Sequence, residues 1–316
     1  MNLRTRLRTT LATWTAPIWL GIVGFYYFHA LHFEDSHDEV MAGPLWAPEQ
    51  VATSLSYFYP FAYAITIGLA TWEGGRLKHD GVWTLAPGRS RFRVAAHTLM
   101  PVVVAGWSIL LLPATMRLVE TGLVPTPAAL MPVLMGAGIV VAYAVLGCGL
   151  GHVTPRLIAA PLSAVAAFYF ISGSSTYSPP YWPRHVLGQV DTSLAFGEVY
   201  GLPTLIAPLL FAAAAAAAVA AWWTNMRKQR GFRLGTAAAA LVIMVLCAHE
   251  ASGWGVANGP VSAGHADTTC AGSAPRVCMA TAGGGGCPYL FRQPRWGRLV
   301  GVDPGFGNVP RSGMFP

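Results

Sequence analysis

The densest set of potential metal ligands in the 316-residue chain is His29-Ala-Leu-His32-Phe-Glu34-Asp35-Ser-His37-Asp38. Two imidazoles at i and i+3 share one helix face, and a carboxylate just beyond them completes the nitrogen and oxygen donors that zinc or a similar ion takes. His29, His32, Glu34 and His37 are the metal candidates; the plainer alternative is a helix end grading into a solvated acidic loop. Haem ligation needs histidines at matching depth on different helices, and His97 with His152 is the pair whose positions allow it. Cys270 and Cys278 form a disulfide candidate if their segment meets an oxidising compartment. Cys148 and Cys247 sit in apolar stretches, where cysteine acts as a small filler, and Cys287 is left over. No nucleophile elbow, Walker A loop, HExxH or paired-carboxylate arrangement is present, and the run Gly283 to Gly286 lacks the Lys-Ser/Thr of a phosphate loop. The chain reads as no enzyme, and it calls for no cofactor.

The elements that must position these residues follow from composition. Hydrophobic residues make up 54% of the chain and charged residues 10%, with a mean hydropathy of +0.47, against about 25% charged in soluble domains. That excludes a soluble globule, a disordered chain and a disulfide scaffold. Charge-poor stretches near the length that spans a bilayer lie at about 14–33, 51–72, 94–116, 127–151, 157–173, 202–224 and 234–248. The expected fold is an all-α polytopic transmembrane bundle of about seven spans, six or seven, the fifth and seventh being short. Its parts are a basic cytoplasmic N-terminus (1–13), the bundle (14–251) and an extracytoplasmic tail (252–316). The first stretch is long, rich in aromatics and without a small-x-small site at its far end, so it reads as an uncleaved span rather than a signal peptide.

The formal net charge of +7 could suggest nucleic acid, but the cations are dispersed between the apolar stretches. With the N-terminus inside, 13 Lys and Arg fall in cytoplasmic segments, and the outer loops before the tail hold only Arg117 and Arg184. That split obeys the positive-inside rule, so the basic excess reports orientation in a cell membrane crossed several times, with no nucleic-acid partner. Prolines fall in nearly every span (Pro17, Pro60, Pro101, Pro113, Pro132, Pro161, Pro208), which lipid tolerates where neighbours satisfy the freed carbonyls; kinked helices in a bundle are expected. Gly147 and Gly151 form a GxxxG spacing, and the seven alanines Ala212 to Ala218 mark a helix to be buried among others. The span interiors hold no Asp, Glu, Lys or Arg, which argues against an internal proton or ion relay. Beyond Thr281 neither a helical nor a strand period persists, and two readings stand: a flexible outer extension, or a reading frame shifted shortly after Cys278.

The segment Trp72-Glu73-Gly-Gly-Arg76-Leu-Lys78-His-Asp80-Gly-Val-Trp83-Thr-Leu-Ala-Pro87-Gly-Arg89-Ser-Arg91-Phe-Arg93 resembles the corresponding loop of actinobacterial ABC-2-type transporter permeases. The likeness extends in layout over most of residues 1–280, and the chain departs from it in lacking a recognisable outer domain after residue 280. It implies a membrane-spanning permease subunit of an ABC-2-type exporter, driven by a separate cytoplasmic ATP-binding subunit and paired with a second permease as a homo- or heterodimer. Glu73, Arg76, Trp83 and Arg89 would then form the ATPase-docking loop, with 227–233 as a second contact. Membrane lipid is the competing partner for these cations, each worth about 1 kcal/mol near an anionic surface. A charge-free bundle and the outer aromatics Tyr177, Tyr181 and Trp182 suit a hydrophobic or amphipathic cargo. The alternative function is a non-transporting membrane sensor or assembly protein whose His/acid outer loop binds a ligand or metal.

Overall fold

The computed structural model describes residues 10–31, 46–82, 90–173, 180–190, 194, 197–223, 230–255, 259–263, 268–271 and 277–280, with backbone alone for 30, 31, 263 and the last two stretches. Nearly all of it is helical. A broken first segment comprises α1 (Leu11–Trp14), α2 (Ala16–Tyr26) and a π-helical turn (Tyr27–Leu31). Then come α3 (Ala47–His79), α4 (Arg91–Thr121), α5 (Pro127–Val153), α6 (Arg156–Ser172), the short α7 (Trp182–Val186), α8 (Leu202–Ala221) and α9 (Arg230–Ala251). Each of the seven apolar stretches thus lies largely within helix. Four of the helices, α4, α5, α8 and α9, are long and apolar enough to cross a membrane. The last of these stretches is longer than its hydropathy suggests, at 22 residues, whereas α6 has 17, about 26 Å at 1.5 Å per residue.

Helix α3 is long enough but less apolar, and the reason is its position. It packs against α4, α5 and α6 at once, and 22 of its 33 residues are buried. A helix enclosed by protein can be less apolar than one that faces lipid, because its polar side chains find partners on neighbouring helices. Ser54, Ser56, Thr66 and Thr71 are all buried on it, and the Thr71 and Ser163 hydroxyls lie 3.2 Å apart across α3 and α6. Pro60 lacks the N–H that the Ser56 carbonyl would accept, and Gln189, 133 residues away, donates its Nε2 to that carbonyl at 3.1 Å. Around this level Tyr59, Tyr63 and Tyr143 stack face to face, with centroids 5.5 and 5.1 Å apart. Tyr59 donates its hydroxyl to the Pro132 carbonyl.

Small residues set how closely α3 and α5 approach. A Cβ at Gly147 would lie 2.5 Å from the Ile67 carbonyl oxygen, and one at Gly151 would overlap the Thr71 carbonyl oxygen and the Gly75 nitrogen. From the α3 side, a Cβ at Gly74 would collide with the backbone of Cys148. The GxxxG pair is therefore the contact surface between the two most closely packed helices. The alanine-rich α8 lies between α5 and α9, with Ala212, Ala214 and Ala216 buried. Helix α9 closes the row with only 11% of its apolar window buried.

At the end of the bundle away from Glu73, short strands depart from an all-helical chain. β1 (Glu198–Tyr200) pairs antiparallel with β2 (Val261–Ala263), and Trp46 donates its indole N–H to the Glu198 carbonyl at 2.8 Å. β3 (Thr268–Ala271) pairs antiparallel with β4 (Val277–Ala280), in a register that sets Cys270 directly opposite Cys278. Directly opposed residues have Cα atoms about 4.5–5.5 Å apart, within the span a disulfide bridges. Residues 281–316, with both tail readings, lie outside the described residues.

Candidate functional site

The helices alternate in direction, and the alternation sorts charge. Seven of the nine described Lys and Arg residues (Arg76, Lys78, Arg91, Arg93, Arg156, Arg230, Arg233) lie where α3 ends, α5 and α8 finish nearby, and α4, α6 and α9 begin. Arg117 and Arg184 lie at the other end with Glu49, Glu120, Glu198 and Glu250. There Arg117 donates to Gln50 at 2.8 Å, and Tyr27 donates to Glu120 at 2.6 Å.

At the basic end α3 continues past the apolar stretch 51–72 for seven residues, and Glu73 is the first of them. Gly74 and Gly75 let that turn sink against α5 and the start of α6, so Glu73 is only 1% exposed. The Leu11 N–H donates to its Oε1 at 3.2 Å, and Arg76 Nη1 lies 3.5 Å from its Oε2. Burial pushes the Glu73 carboxyl above the usual carboxylate range, opposed first by the Leu11 N–H and then by the Arg76 guanidinium. Arg76 also reaches Asp80, Nε to Oδ2, at 3.6 Å. The cluster clasps the start of α1 to the end of α3. Of the four docking residues expected from sequence, the structure thus brings together Glu73 and Arg76. Glu73 faces inward, only Arg76 has a partly open side chain, and Trp83 and Arg89 lie outside the described residues.

Two cavities flank the end of α5. One, about 570 Å³, is walled by Gly75, Lys78 and His79 of α3, by Gly151 of α5, and by the turn that leads to Arg156. The Arg156 guanidinium lies 5.3 Å from the centre of the Trp72 ring, a cation–π placement that fixes its direction. The other cavity, about 830 Å³, is apolar, lined chiefly by Leu146, Leu150, Val219, Trp222 and Trp223, with Arg91 and His152 on its wall. From sequence the cations of the first cavity look like orientation signals or surface contacts to lipid; the shaped site arises only where Gly75 of α3 meets Gly151 of α5.

Of the remaining candidates the described residues include only some. His29 stacks on Phe25 at 5.5 Å, while His32, Glu34 and His37 lie outside the described residues. Among the described residues no three His, Cys, Asp or Glu side chains converge as metal ligands. His97 is exposed on α4, and His152 shares a hydrogen bond of 2.7 Å between its Nδ1 and the Cys148 carbonyl, so one ring nitrogen is already engaged. The side chains of Cys270 and Cys278 also lie outside the described residues; their backbone register is what the structure contributes.

No family model, curated protein or solved structure matches the chain. The permease likeness accordingly rests on the layout and on the loop that begins at Trp72.

Proposed function

We propose that the chain is the membrane subunit of an ABC-2-type exporter, crossing the cell membrane seven times with its basic end in the cytoplasm and moving a hydrophobic or amphipathic cargo with ATP hydrolysed by a separate subunit. The observation that carries this is the form of α3. The loop that resembles a permease docking loop is the direct continuation of the helix packed against α4, α5 and α6. A push on that loop would reach three neighbours through one rigid rod. Sorting of cations to the same end supports its cytoplasmic placement. With Glu73 turned inward, the docking surface falls to Arg76, Trp83 and Arg89, and the Glu73 carboxylate holds the turn of α3 that carries Arg76.

The test is copurification from the native host in mild detergent. Wild-type protein is expected to bring down a nucleotide-binding subunit, and the R76A/W83A/R89A variant to lose it while keeping its expression and gel-filtration profile. Absence of any ATPase with the wild type, under conditions that preserve a known permease complex, would overturn the proposal.

A further inference from the structure

We propose that the cavity between the last turn of α3, the end of α5 and the first turn of α6 binds the phosphate of an anionic phospholipid headgroup. It rests on the membrane placement above, which puts this end at a lipid–water boundary.

The cavity is cationic. Lys78 and Arg156 wall the cavity from two different helices, and His79 adds a ring N–H. Among the described residues neither Lys78 nor Arg156 forms an ion pair, because the two nearby carboxylates, Glu73 and Asp80, both engage Arg76. The segments that adjoin this end in sequence, 1–9, 83–89 and 224–229, contain no Asp or Glu at all. Two cations thus face one space, Glu73 acting on Arg156 electrostatically without pairing with it, and a phosphate oxygen accepts from both lysine and arginine.

The close approach of the helices shapes the cavity. A Cβ at Gly75 would come 2.5 Å from the Arg156 Cβ, so glycine there is what lets α3 and α6 bring their cations to one cavity. Helix α6 opens after Pro155 with no side-chain cap, and its first two residues, Arg156 and Leu157, both line the cavity, which sets the positive end of the helix beside it. Basic pockets between helices on the cytoplasmic side of a membrane are the usual seats of anionic headgroups.

The surroundings of the cavity favour lipid over free phosphate. Leu157 lines the cavity, and the apolar side chains that leave it along α6, Ile158, Leu162 and Val165, are all exposed. A headgroup held by Lys78 and Arg156 would therefore have a greasy track for its acyl chains, which inorganic phosphate does not use.

The experiment is native mass spectrometry of the full chain released from detergent, titrated with phosphatidylglycerol, with phosphatidylcholine of the same acyl chains, and with inorganic phosphate. Phosphatidylglycerol is expected to bind at least about tenfold more tightly than phosphatidylcholine, and inorganic phosphate at about 10 mM not to displace it. The K78A/R156A variant should lose the preference, while R230A/R233A, which removes equal charge from another helix at the same end, should keep it. K78A alone, at an exposed position, should weaken it severalfold without risk to the fold. No preference in the wild type, or equal loss in R230A/R233A, overturns the site. Displacement by inorganic phosphate overturns the lipid assignment in favour of a free anion. A chain recovered without detergent from the soluble fraction would instead refute the membrane placement.

Discussion

Gly151→Ala and Gly147→Ala are expected to destabilise the protein by about 1–3 kcal/mol each, the usual cost of overpacking a close-packed interior. The sign is informative, because alanine is the better helix former and would by itself gain up to about 1 kcal/mol over glycine. At Gly151 the added methyl meets the Thr71 carbonyl oxygen and the Gly75 nitrogen, and at Gly147 it meets the Ile67 carbonyl oxygen. These are backbone atoms and cannot rotate aside, so α3 and α5 must separate along the whole crossing. Gly235→Ala on α9 is the control, since a Cβ there meets nothing within 4 Å. It should leave stability unchanged or raise it. Thermal unfolding in detergent, followed by loss of the monodisperse gel-filtration peak, reads all three. If Gly147→Ala and Gly151→Ala match Gly235→Ala, the helices do not cross at this distance.

Glu73→Ala should cost a further distinct amount, about 1–3 kcal/mol, because it strands the Leu11 N–H and leaves Arg76 with Asp80 alone. Glu73→Gln is the discriminating partner. The amide keeps an oxygen for the Leu11 N–H and avoids placing a charge in a buried site, so it should recover most of the loss. Limited proteolysis near residue 11 adds a local readout: faster cleavage in Glu73→Ala than in Glu73→Gln locates the damage at the clasp. Equal behaviour of the two variants would mean that the hydrogen bond contributes nothing and that Glu73 serves another role.

The rods of this fold were legible because each is a charge-poor run near bilayer length. Their ranking was not. A charge-poor run places the stretch 51–72 among equals and hydropathy ranks α3 below four of the others, yet α3 is the packing centre, and the signal for that is its buried hydroxyls and its glycines Gly68, Gly74 and Gly75 rather than its apolarity. GxxxG spacing names a helix that can be approached closely but not the helix that approaches it; α3 supplies its side of the crossing with Thr71, Gly74 and Gly75, which no single motif encodes. Glu73 looks from sequence like a loop residue open to a partner, because the apolar stretch stops at Trp72. The helix does not stop there, and the two glycines after Glu73 draw the carboxylate inward. The Gln189 bond to the carbonyl freed by Pro60 joins residues 133 apart, beyond the reach of any periodicity. The lipid cavity was hidden for a related reason: Lys78 and Arg156 are distant in sequence and become neighbours only through the α3–α5–α6 packing.

The docking loop and the headgroup cavity both stand on one claim, that the chain crosses the membrane with its basic end in the cytoplasm. Single cysteines placed in a cysteine-free background test it most directly: His79→Cys and Gly231→Cys at the basic end, Val124→Cys and Ser252→Cys at the other. In intact cells a membrane-impermeant maleimide should label the second pair, and the first pair only after permeabilisation. Labelling of all four from one side, or of the basic-end pair from outside, would contradict the account.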